Sequence, residues 1–452
     1  MICFETRCRA ACFSLLVALL VLAPWSRSEA QLAAVGRGGA VAFDPVGVYI
    51  DPAGVLRSRV LADAKQVKAL LVRAARDRRD PALRYVSLPR LFAAAREAVA
   101  AGKPLPDAIR YVGGLTRLKY VFVYPEENDL VIAGPAEQLE VGVGGRALGR
   151  LTGRPALQFD DLVVALRTCG PGRHRQVFGV NIEQTSEQMQ RMMDALQRMQ
   201  LEVKTQPRQR RAVAEAMADA AGPQTVRLIN LAADTRFALV CLEADYLLKR
   251  LAIGLDRSPV PRVHSYLAYQ DQPQANANRF WLETLYEPLL VSPDQRFFEI
   301  RGQSLQVRTH RQFNNDPAAV DPAADRFTTG TTRHFEAISW AIPSFADLAN
   351  LSDLGLLAAL IARHDLHDQA KWDLAWFLDP SGYRVARVPT PATARTLVNY
   401  HVKRKLVLYA GGGVRLQMDE ALKRRQPDEQ GTLAALARRP AAADWATASK
   451  PR

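Results

Sequence analysis

Cysteine is scarce in this chain of 452 residues: there are five, and Cys3, Cys8 and Cys12 lie close to the N-terminus. No Cys-x-x-Cys pair occurs. Cys169 and Cys241 remain, and in an oxidising compartment two such residues can form a disulfide. Free cysteine also packs as a small apolar side chain. We favour two buried thiols, because a disulfide cannot be inferred without the distance between the two residues.

Recognisable catalytic motifs are absent too. The sequence has no Gly-x-Ser-x-Gly elbow, no phosphate-binding Walker loop and no His-Glu-x-x-His motif. These absences do not exclude an enzyme, because catalytic triads assemble from distant residues. Gly142 to Gly149 superficially resembles a dinucleotide fingerprint, but its third glycine is misplaced and turn residues follow it. We therefore expect no cofactor and leave the question of enzyme activity open.

His364 and His367 are weak candidates for metal ligands. They lie three residues apart at the end of a predicted helix, a spacing that can present two ligands on one face. The sequence nominates no third protein ligand, and the negative end of the helix dipole also accounts for histidine at this position. We therefore predict no metal site, and the sequence identifies no catalytic residue.

Long apolar runs are missing after residue 30, and no later segment resembles a transmembrane helix. At the N-terminus, arginines precede the apolar stretch 10–23, and Ser28 and Ala30 are small residues at the positions that signal peptidase reads. This pattern predicts a signal peptide over residues 1–30, cleaved after Ala30, and hence a periplasmic or secreted protein. The alternative is an uncleaved anchor, although the run is shorter than the roughly 20 residues that span a bilayer.

Acidic residues are outnumbered, 46 against 60 lysines and arginines, which gives a net charge of +14. The basic residues are mostly dispersed, whereas nucleic-acid binders concentrate them on one face. We therefore do not expect nucleic-acid binding. Binding to an anionic surface stays open, and it would require the arginines to cluster on one face.

The stretch Tyr120–Gly134 has two apolar runs on either side of an acidic turn that contains Glu126, Glu127 and Asp129. Catalytic carboxylates would need an enclosing pocket and a reason for one pKa to rise, and the tip of a hairpin offers neither. We predict a β-hairpin with at least one strand buried on both faces. Glu126 and Glu127 then form its solvated tip, and Asp129 serves the turn.

Periodicity along the chain predicts an α+β fold, with hairpin-rich mixed α/β layers in two or three domains. After the signal peptide we place an N-terminal α+β domain at residues 31–156 and a central βααβα-like domain at 157–260. A C-terminal α+β domain follows at 261–422, and residues 423–452 are predicted to be a disordered tail.

Local signals place several elements within these segments. A helix is predicted over Leu61–Arg76, and Gly411–Gly413 is predicted to be the turn of a final hairpin between Val398–Tyr409 and Val414–Leu416. Polar residues before apolar periodic segments predict helix N-caps. The predicted caps are Ser87, Thr185 with Gln188, Asp234, and Ser344 with Asp347.

The polar segment 311–333 is predicted to be a long loop, and long irregular loops in compact domains are often functional or disordered. If the protein is an exported hydrolase with a dispersed active site, we expect that site near this loop and His334.

Several segments in one order resemble a known family. They are Gly47–Leu56, Pro104–Leu115, Tyr120–Glu137, Ala244–Gly254, Tyr286–Leu290 and Arg301–Gln303. Together they resemble the planctomycete proteins grouped as domain-of-unknown-function family 1598, from about residue 39 to residue 416. The resemblance implies an exported planctomycete protein, and it implies no reaction and no catalytic residue.

These observations favour an uncharacterised exported protein that binds or scaffolds without catalysis, and the hydrolase is the alternative. An enzyme should show a deep pocket with converging titratable groups, and a scaffold should show an exposed apolar or aromatic patch. The sequence names neither a ligand nor a partner; the candidates for a partner are another envelope protein and a second copy of the chain.

Overall fold

A computed structural model of the protein describes residues 48–50, 54–58, 82–142, 145–202, 210–270, 278–310, 321–401 and 406–438. The predicted signal peptide and the predicted helix Leu61–Arg76 lie outside these ranges. The fold is α+β, as the sequence predicts.

Strands are numbered along the chain. They are β1 Val48–Ile50, β2 Val55–Ser58, β3 Leu83–Ser87, β4 Tyr120–Tyr124, β5 Asp129–Pro135, β6 Leu139–Val141, β7 Ala147–Gly149, β8 Val177–Glu183, β9 Gln224–Ile229, β10 Asn278–Leu285, β11 Leu289–Val291, β12 Phe297–Glu299, β13 Ser304–Thr309, β14 Thr393–Ala394, β15 Val398–His401, β16 Leu406–Gln417 and β17 Arg425–Pro427.

Helices are numbered in the same way, leaving out two short 3-10 turns. They are α1 Leu88–Ala100, α2 Asp107–Arg110, α3 Phe159–Cys169, α4 Ser186–Glu202, α5 Arg210–Ala221, α6 Arg236–Ala252, α7 Tyr266–Tyr269, α8 Pro322–Arg333, α9 Phe335–Ala341, α10 Pro343–Arg363, α11 Leu366–Gln369, α12 Ala375–Leu378, α13 Met418–Lys423 and α14 Thr432–Ala437.

The described strands form a nine-stranded, a six-stranded and a two-stranded sheet. The nine-stranded sheet has the order β1-β2-β14-β9-β8-β16-β10-β13, with β15 also paired to β16. The six-stranded sheet has the order β17-β11-β12-β4-β5-β3, and β6 pairs with β7. The nine-stranded sheet takes strands from all three predicted segments of the mature chain, so the boundaries at 156 and 260 do not separate sheets. The division into domains stays a prediction.

Helix α10 lies in the main hydrophobic core, and nearly all of its residues are buried. Among the described helices it is long and apolar enough to cross a membrane, but 94% of its most apolar window is buried inside the protein. Burial of this kind is typical of a core helix, because a helix that is apolar all round must pack against protein on every side.

The predicted hairpin turn at Gly411–Gly413 is wrong, because these glycines lie inside the continuous strand β16. A Cβ at Gly412 would lie 1.9 Å from the carbonyl oxygen of Phe280, and one at Gly413 would lie 2.1 Å from that of Val180. The glycines therefore let β16 approach β10 and β8 closely. A run of glycines can therefore indicate close backbone packing between strands as well as a turn.

Two predicted caps are confirmed and two are wrong. Ser87 accepts a hydrogen bond from the amide of Arg90, and Thr185 and Gln188 bond each other's backbone amides. Asp234 is not the N-cap of α6, because that position belongs to Thr235. Helix α10 begins at Pro343, so Ser344 lies in its first turn and bonds elsewhere.

The polar loop predicted over residues 311–333 is wrong for its second half, since residues 322–333 form α8. Asp321 is the N-cap of this helix, and Pro322 occupies its first position. This pair is a typical helix start, but the polar composition of the segment led to the prediction of a loop. Residues 311–320 lie outside the described ranges.

The prediction of a disordered tail is also wrong in part, because Arg425–Pro427 form β17 and Thr432–Ala437 form α14. Helix α14 covers aromatic residues on the outer face of the six-stranded sheet, where Tyr85 and Tyr124 donate hydrogen bonds to the carbonyls of Leu436 and Ala437. Residues 439–452 lie outside the described ranges.

Candidate functional site

A cavity of about 670 Å³ lies at one end of the six-stranded sheet. Its lining comes from the segment before β4, the turn after β7, the connection between β12 and β13, and helix α9. Arginines, carboxylates and aromatic side chains meet here, and the volume falls within the range of small-molecule pockets. We call it the Arg154 cavity, after the residue whose contacts distinguish it.

Arg117 is held at this cavity by a buried polar network. Its Nε lies 2.7 Å from Oδ2 of Asp353, and its Nη2 donates to Oγ of Ser304 at 2.8 Å. The Tyr286 hydroxyl lies 2.9 Å from Oδ1 of the same aspartate, which is fully buried. Burial opposes the charge of Arg117, but Asp353 raises its pKa. The side chain is therefore a fixed, fully ionised cation.

Arg154 has a largely buried side chain, 11% exposed, whose guanidinium is only partly paired. Its Nη1 donates to Oε1 of Glu336 at 2.7 Å. Its Nε is buried and has no hydrogen-bond partner among the described residues. Its Nη2 donates no hydrogen bond to those residues either. Burial and then the charge of Arg117 lower the pKa of Arg154. Nη2 is therefore the nitrogen of this guanidinium that is left to donate to an added anion.

Glu336 is the carboxylate that faces this cluster of cations, and its side chain is 54% exposed. Partial burial opposes its ionisation, but Arg154, Arg117 and Lys119 outweigh burial and lower its pKa. Three cations thus converge on one carboxylate at the rim of the cavity. The same arrangement favours an anion supplied from solution.

Glu137 fixes the turn that carries Arg154. Its Oε2 accepts hydrogen bonds from the amides of Leu151 at 2.7 Å and Thr152 at 3.0 Å, and its Oε1 accepts one from the Thr152 hydroxyl. That hydroxyl oxygen in turn accepts the backbone amide of Arg154 at 3.2 Å. A Cβ at Gly149 would collide with the Glu137 carboxyl, so the glycine makes room for it. Glu137 is therefore a positioning residue for Arg154.

Aromatic residues complete the walls of the cavity. Tyr120 lies opposite Glu299 in the pairing of β4 with β12, and burial followed by Glu299 raises the pKa of the tyrosine hydroxyl. Trp340 on α9 is half-buried, and Ile300 adds buried apolar surface. These side chains offer an apolar contact next to the cations.

The acidic turn predicted at Tyr120–Gly134 is confirmed as a hairpin, with Glu126 and Glu127 exposed at its tip. Asp129 differs from the prediction. It is buried, accepts a hydrogen bond from the Ser87 hydroxyl at 2.6 Å, and thereby ties the hairpin to the start of α1. Asp129 holds structure and lies outside the Arg154 cavity.

His364 and His367 fall on different elements. His364 is the C-cap that follows α10, and His367 lies in α11. Burial, Arg425 and Arg363 lower the pKa of His364, which packs on the ring of Phe298. Within the described ranges, no group of three or more His, Cys, Asp or Glu residues could hold a metal ion.

His334, the residue proposed for a hydrolase, is the C-cap that follows α8 and lines a separate cavity of about 590 Å³ with Asp325 and Tyr269. Among the described residues its ring makes no hydrogen bond to a hydroxyl or a carboxylate. The pairing of a base with a nucleophile that the hydrolase alternative needs is therefore not formed at this ring.

Ser344 and Asp347, predicted as a cap, belong instead to a buried ionic network. Arg146 lies 2.8 Å from both Glu243 and Asp347, and Ser344 donates to Glu243 at 3.1 Å. Arg236 joins Asp347 to Asp161. The network ties α3, α6 and α10 together in the core.

Cys169 and Cys241 are both buried free thiols, in agreement with the favoured interpretation. Burial raises the pKa of each, to about 12 for Cys169. A buried thiol of this kind is unreactive, because the thiolate is the nucleophile.

Sequence reasoning does not find the Arg154 cavity. Its cations are scattered singly along the chain, and Arg154 meets a glutamate 182 positions later. The one local signal is the turn Thr152-Gly153-Arg154-Pro155, which places an arginine where the chain reverses.

Comparison with known proteins gives one match. Residues 180–266 match a family model described as "Protein of unknown function (DUF1598)", which supports the resemblance over that segment. The segment covers β8 to α7 and contains none of the residues that line the Arg154 cavity. No curated protein and no solved structure gave a match.

Proposed function

We propose that the protein is an exported, non-catalytic binding protein, and that its ligand carries an anionic group held by Arg154. Export rests on the N-terminal sequence pattern, and the family resemblance agrees with it. Binding rests on one observation, the largely buried and partly unpaired side chain of Arg154 in a cavity beside Arg117 and Lys119.

Burying an arginine without full pairing is costly, and removing the cost requires an anion or further hydrogen-bond acceptors. Glu336 supplies only one bond, and it does so from a half-exposed position. A carboxylate or a phosphate at Nη2, the nitrogen that makes no hydrogen bond to the described residues, would accept a charge-assisted hydrogen bond from it. The contacts described here bind and orient such a group, and none of them activates a nucleophile.

The test is a titration of the purified protein with benzoate and with phenyl phosphate, followed by NMR. We expect saturable binding of at least one of them, and Arg154→Gln should weaken it roughly tenfold or more. Arg150→Gln is the matched control, because Arg150 lies in the same turn but is 59% exposed and should leave binding unchanged. Binding of neither anion, or equal binding by Arg154→Gln, would refute the proposal.

A further inference from the structure

We infer that the ligand of the Arg154 cavity is a monocarboxylate with an apolar or aromatic body, and that phosphate esters and polyanions are rejected. This inference rests on the proposed anion binding and names its chemical class. It follows from the charge balance of the lining, the groups already paired there, and the apolar walls.

The charge balance disfavours a ligand with more than one negative charge. Four cations line the cavity with three carboxylates: Arg117, Lys119, Arg154 and Arg301, and Glu287, Glu299 and Glu336. Asp353 does not line the cavity but pairs with Arg117. When it is included, the four basic side chains are matched by four acidic ones. A dianion would gain one favourable contact and bring its second charge near uncompensated carboxylates. Like-charge neighbours of this kind exclude ligands.

Two of the four cations are already committed to protein oxygens. Arg301 donates to the carbonyl of Pro288 at 2.7 Å and to Oε1 of Gln426 at 2.8 Å. Arg117 is held by Asp353 and Ser304. Arg154 and Lys119 are left to meet the ligand, and a phosphate dianion would need more positive charge than these two provide after Glu336 is counted.

The cavity already accepts a carboxylate. Glu336 places Oε1 on Nη1 of Arg154, so a carboxylate fits the approach to this guanidinium. Nε is closed to a ligand by burial, but Nη2 makes no hydrogen bond to the described residues and can donate to an oxygen of a second carboxylate. Phosphate can accept from Nη2 too, but the charge balance opposes its second charge.

The walls define the body of the ligand. Trp340 and Tyr120 present aromatic rings, and Leu83, Ile300 and Pro135 add apolar surface in the same cavity. Apolar walls around a small number of polar groups are typical of pockets that bury the uncharged part of a ligand. An aromatic or branched aliphatic acid fits this combination, whereas a small inorganic anion would leave the walls in water.

The experiment compares three probes of one shape: benzoate, phenyl phosphate and benzamide. NMR titration of the purified protein should show benzoate binding roughly tenfold tighter than phenyl phosphate at pH 7.5, where the phosphate is a dianion. Benzamide has the same ring without the charge and should bind more weakly than benzoate. Arg154→Lys keeps the charge but not the planar guanidinium, and it should reduce the preference for benzoate.

The outcomes separate this inference from the proposed function. If phenyl phosphate binds as tightly as benzoate or more tightly, and Arg154→Gln removes that binding, the inference is overturned while anion binding stands. If benzamide binds as tightly as both anions, the negative charge is not recognised and both are overturned. A double change, Glu287→Gln with Glu299→Gln, should raise the affinity for phenyl phosphate more than that for benzoate; an unchanged ratio would contradict the argument from charge balance.

Discussion

Nη1 of Arg154 lies 2.7 Å from Oε1 of Glu336, so the cavity already holds a carboxylate from its own chain against its central cation. That carboxylate competes with a ligand for the guanidinium and repels its charge. Glu336→Gln should therefore tighten benzoate binding by about twofold to fivefold, the range expected for a partly exposed ion pair.

The measurement is the dissociation constant for benzoate in the wild type and in Glu336→Gln. Glu420→Gln removes the same charge from an exposed position on α13 and is the control. Weaker binding by Glu336→Gln would mean that Glu336 organises Arg154 for the ligand and does not compete with it.

Glu137→Gln should lower both stability and affinity. The carboxylate accepts two backbone amides and one hydroxyl in the turn before Arg154, and charge-assisted hydrogen bonds of this kind contribute about 1.5–3 kcal/mol each when buried. We expect a loss of about 2 kcal/mol in the free energy of unfolding. Benzoate should bind roughly tenfold more weakly, because misplacing a binding group costs affinity even when the group itself is intact.

Urea unfolding and NMR titration measure the two effects. Glu140→Gln is the matched control, since Glu140 lies on the neighbouring strand β6 with its side chain 41% exposed. Loss of stability with unchanged affinity would show that Glu137 holds the turn without positioning Arg154.

Asp161 should make the protein less stable as the pH rises from 4 to about 6.5. Burial raises its pKa to about 6, more than Arg236 lowers it. The folded state therefore binds the proton more tightly than the unfolded state, whose pKa is about 3.9. Stability from this group is fully present below pH 4 and is lost as the pH passes the folded pKa, and the loss is about 3 kcal/mol.

Comparing the wild type with Asp161→Asn isolates this term, because all other carboxylates titrate in both proteins. Between pH 4 and pH 6.5 the free energy of unfolding should fall more steeply in the wild type. Parallel curves would show that Arg236 keeps Asp161 ionised in the folded protein throughout this range.

Gly413→Ala should destabilise the protein by about 2 kcal/mol or more, because its Cβ would lie 2.1 Å from the carbonyl oxygen of Val180. Gly330→Ala is the matched control. Gly330 lies within helix α8, and a Cβ there meets nothing within 4 Å. Alanine there should raise stability by about 0.5–1 kcal/mol. Urea midpoints measure both variants, and an equal effect of the two would contradict the close approach of β16 to β8.

Local chemistry made much of the fold predictable. Each confirmed cap was recognisable from at most four consecutive residues. These caps are Ser87, which precedes an apolar helix, and the pair Thr185 and Gln188. The predictions for the glycines of β16 and for Ser344 were wrong, because residues far away in the sequence determine the role of each. Gly413 is small because β8 lies against it, and Ser344 bonds a glutamate 101 positions away.

The candidate site was not predictable for the same reason. Arg154 and Glu336 are separated by 182 positions, and Arg117 is separated from Asp353 by 236. Nothing near any of these residues in the sequence marks it as buried or paired. Their meeting depends on how the six-stranded sheet packs against α9 and α10.

The most direct measurement of the central claim is the NMR signal of the Arg154 Nε–H group during a benzoate titration, assigned by its loss in Arg154→Gln. Binding at Nη2 predicts a saturable shift of this signal as the same guanidinium gains an acceptor, with the same dissociation constant that the benzoate signals give. A signal that stays in place while benzoate binds would mean that the anion is held elsewhere, and that the Arg154 cavity is not the binding site.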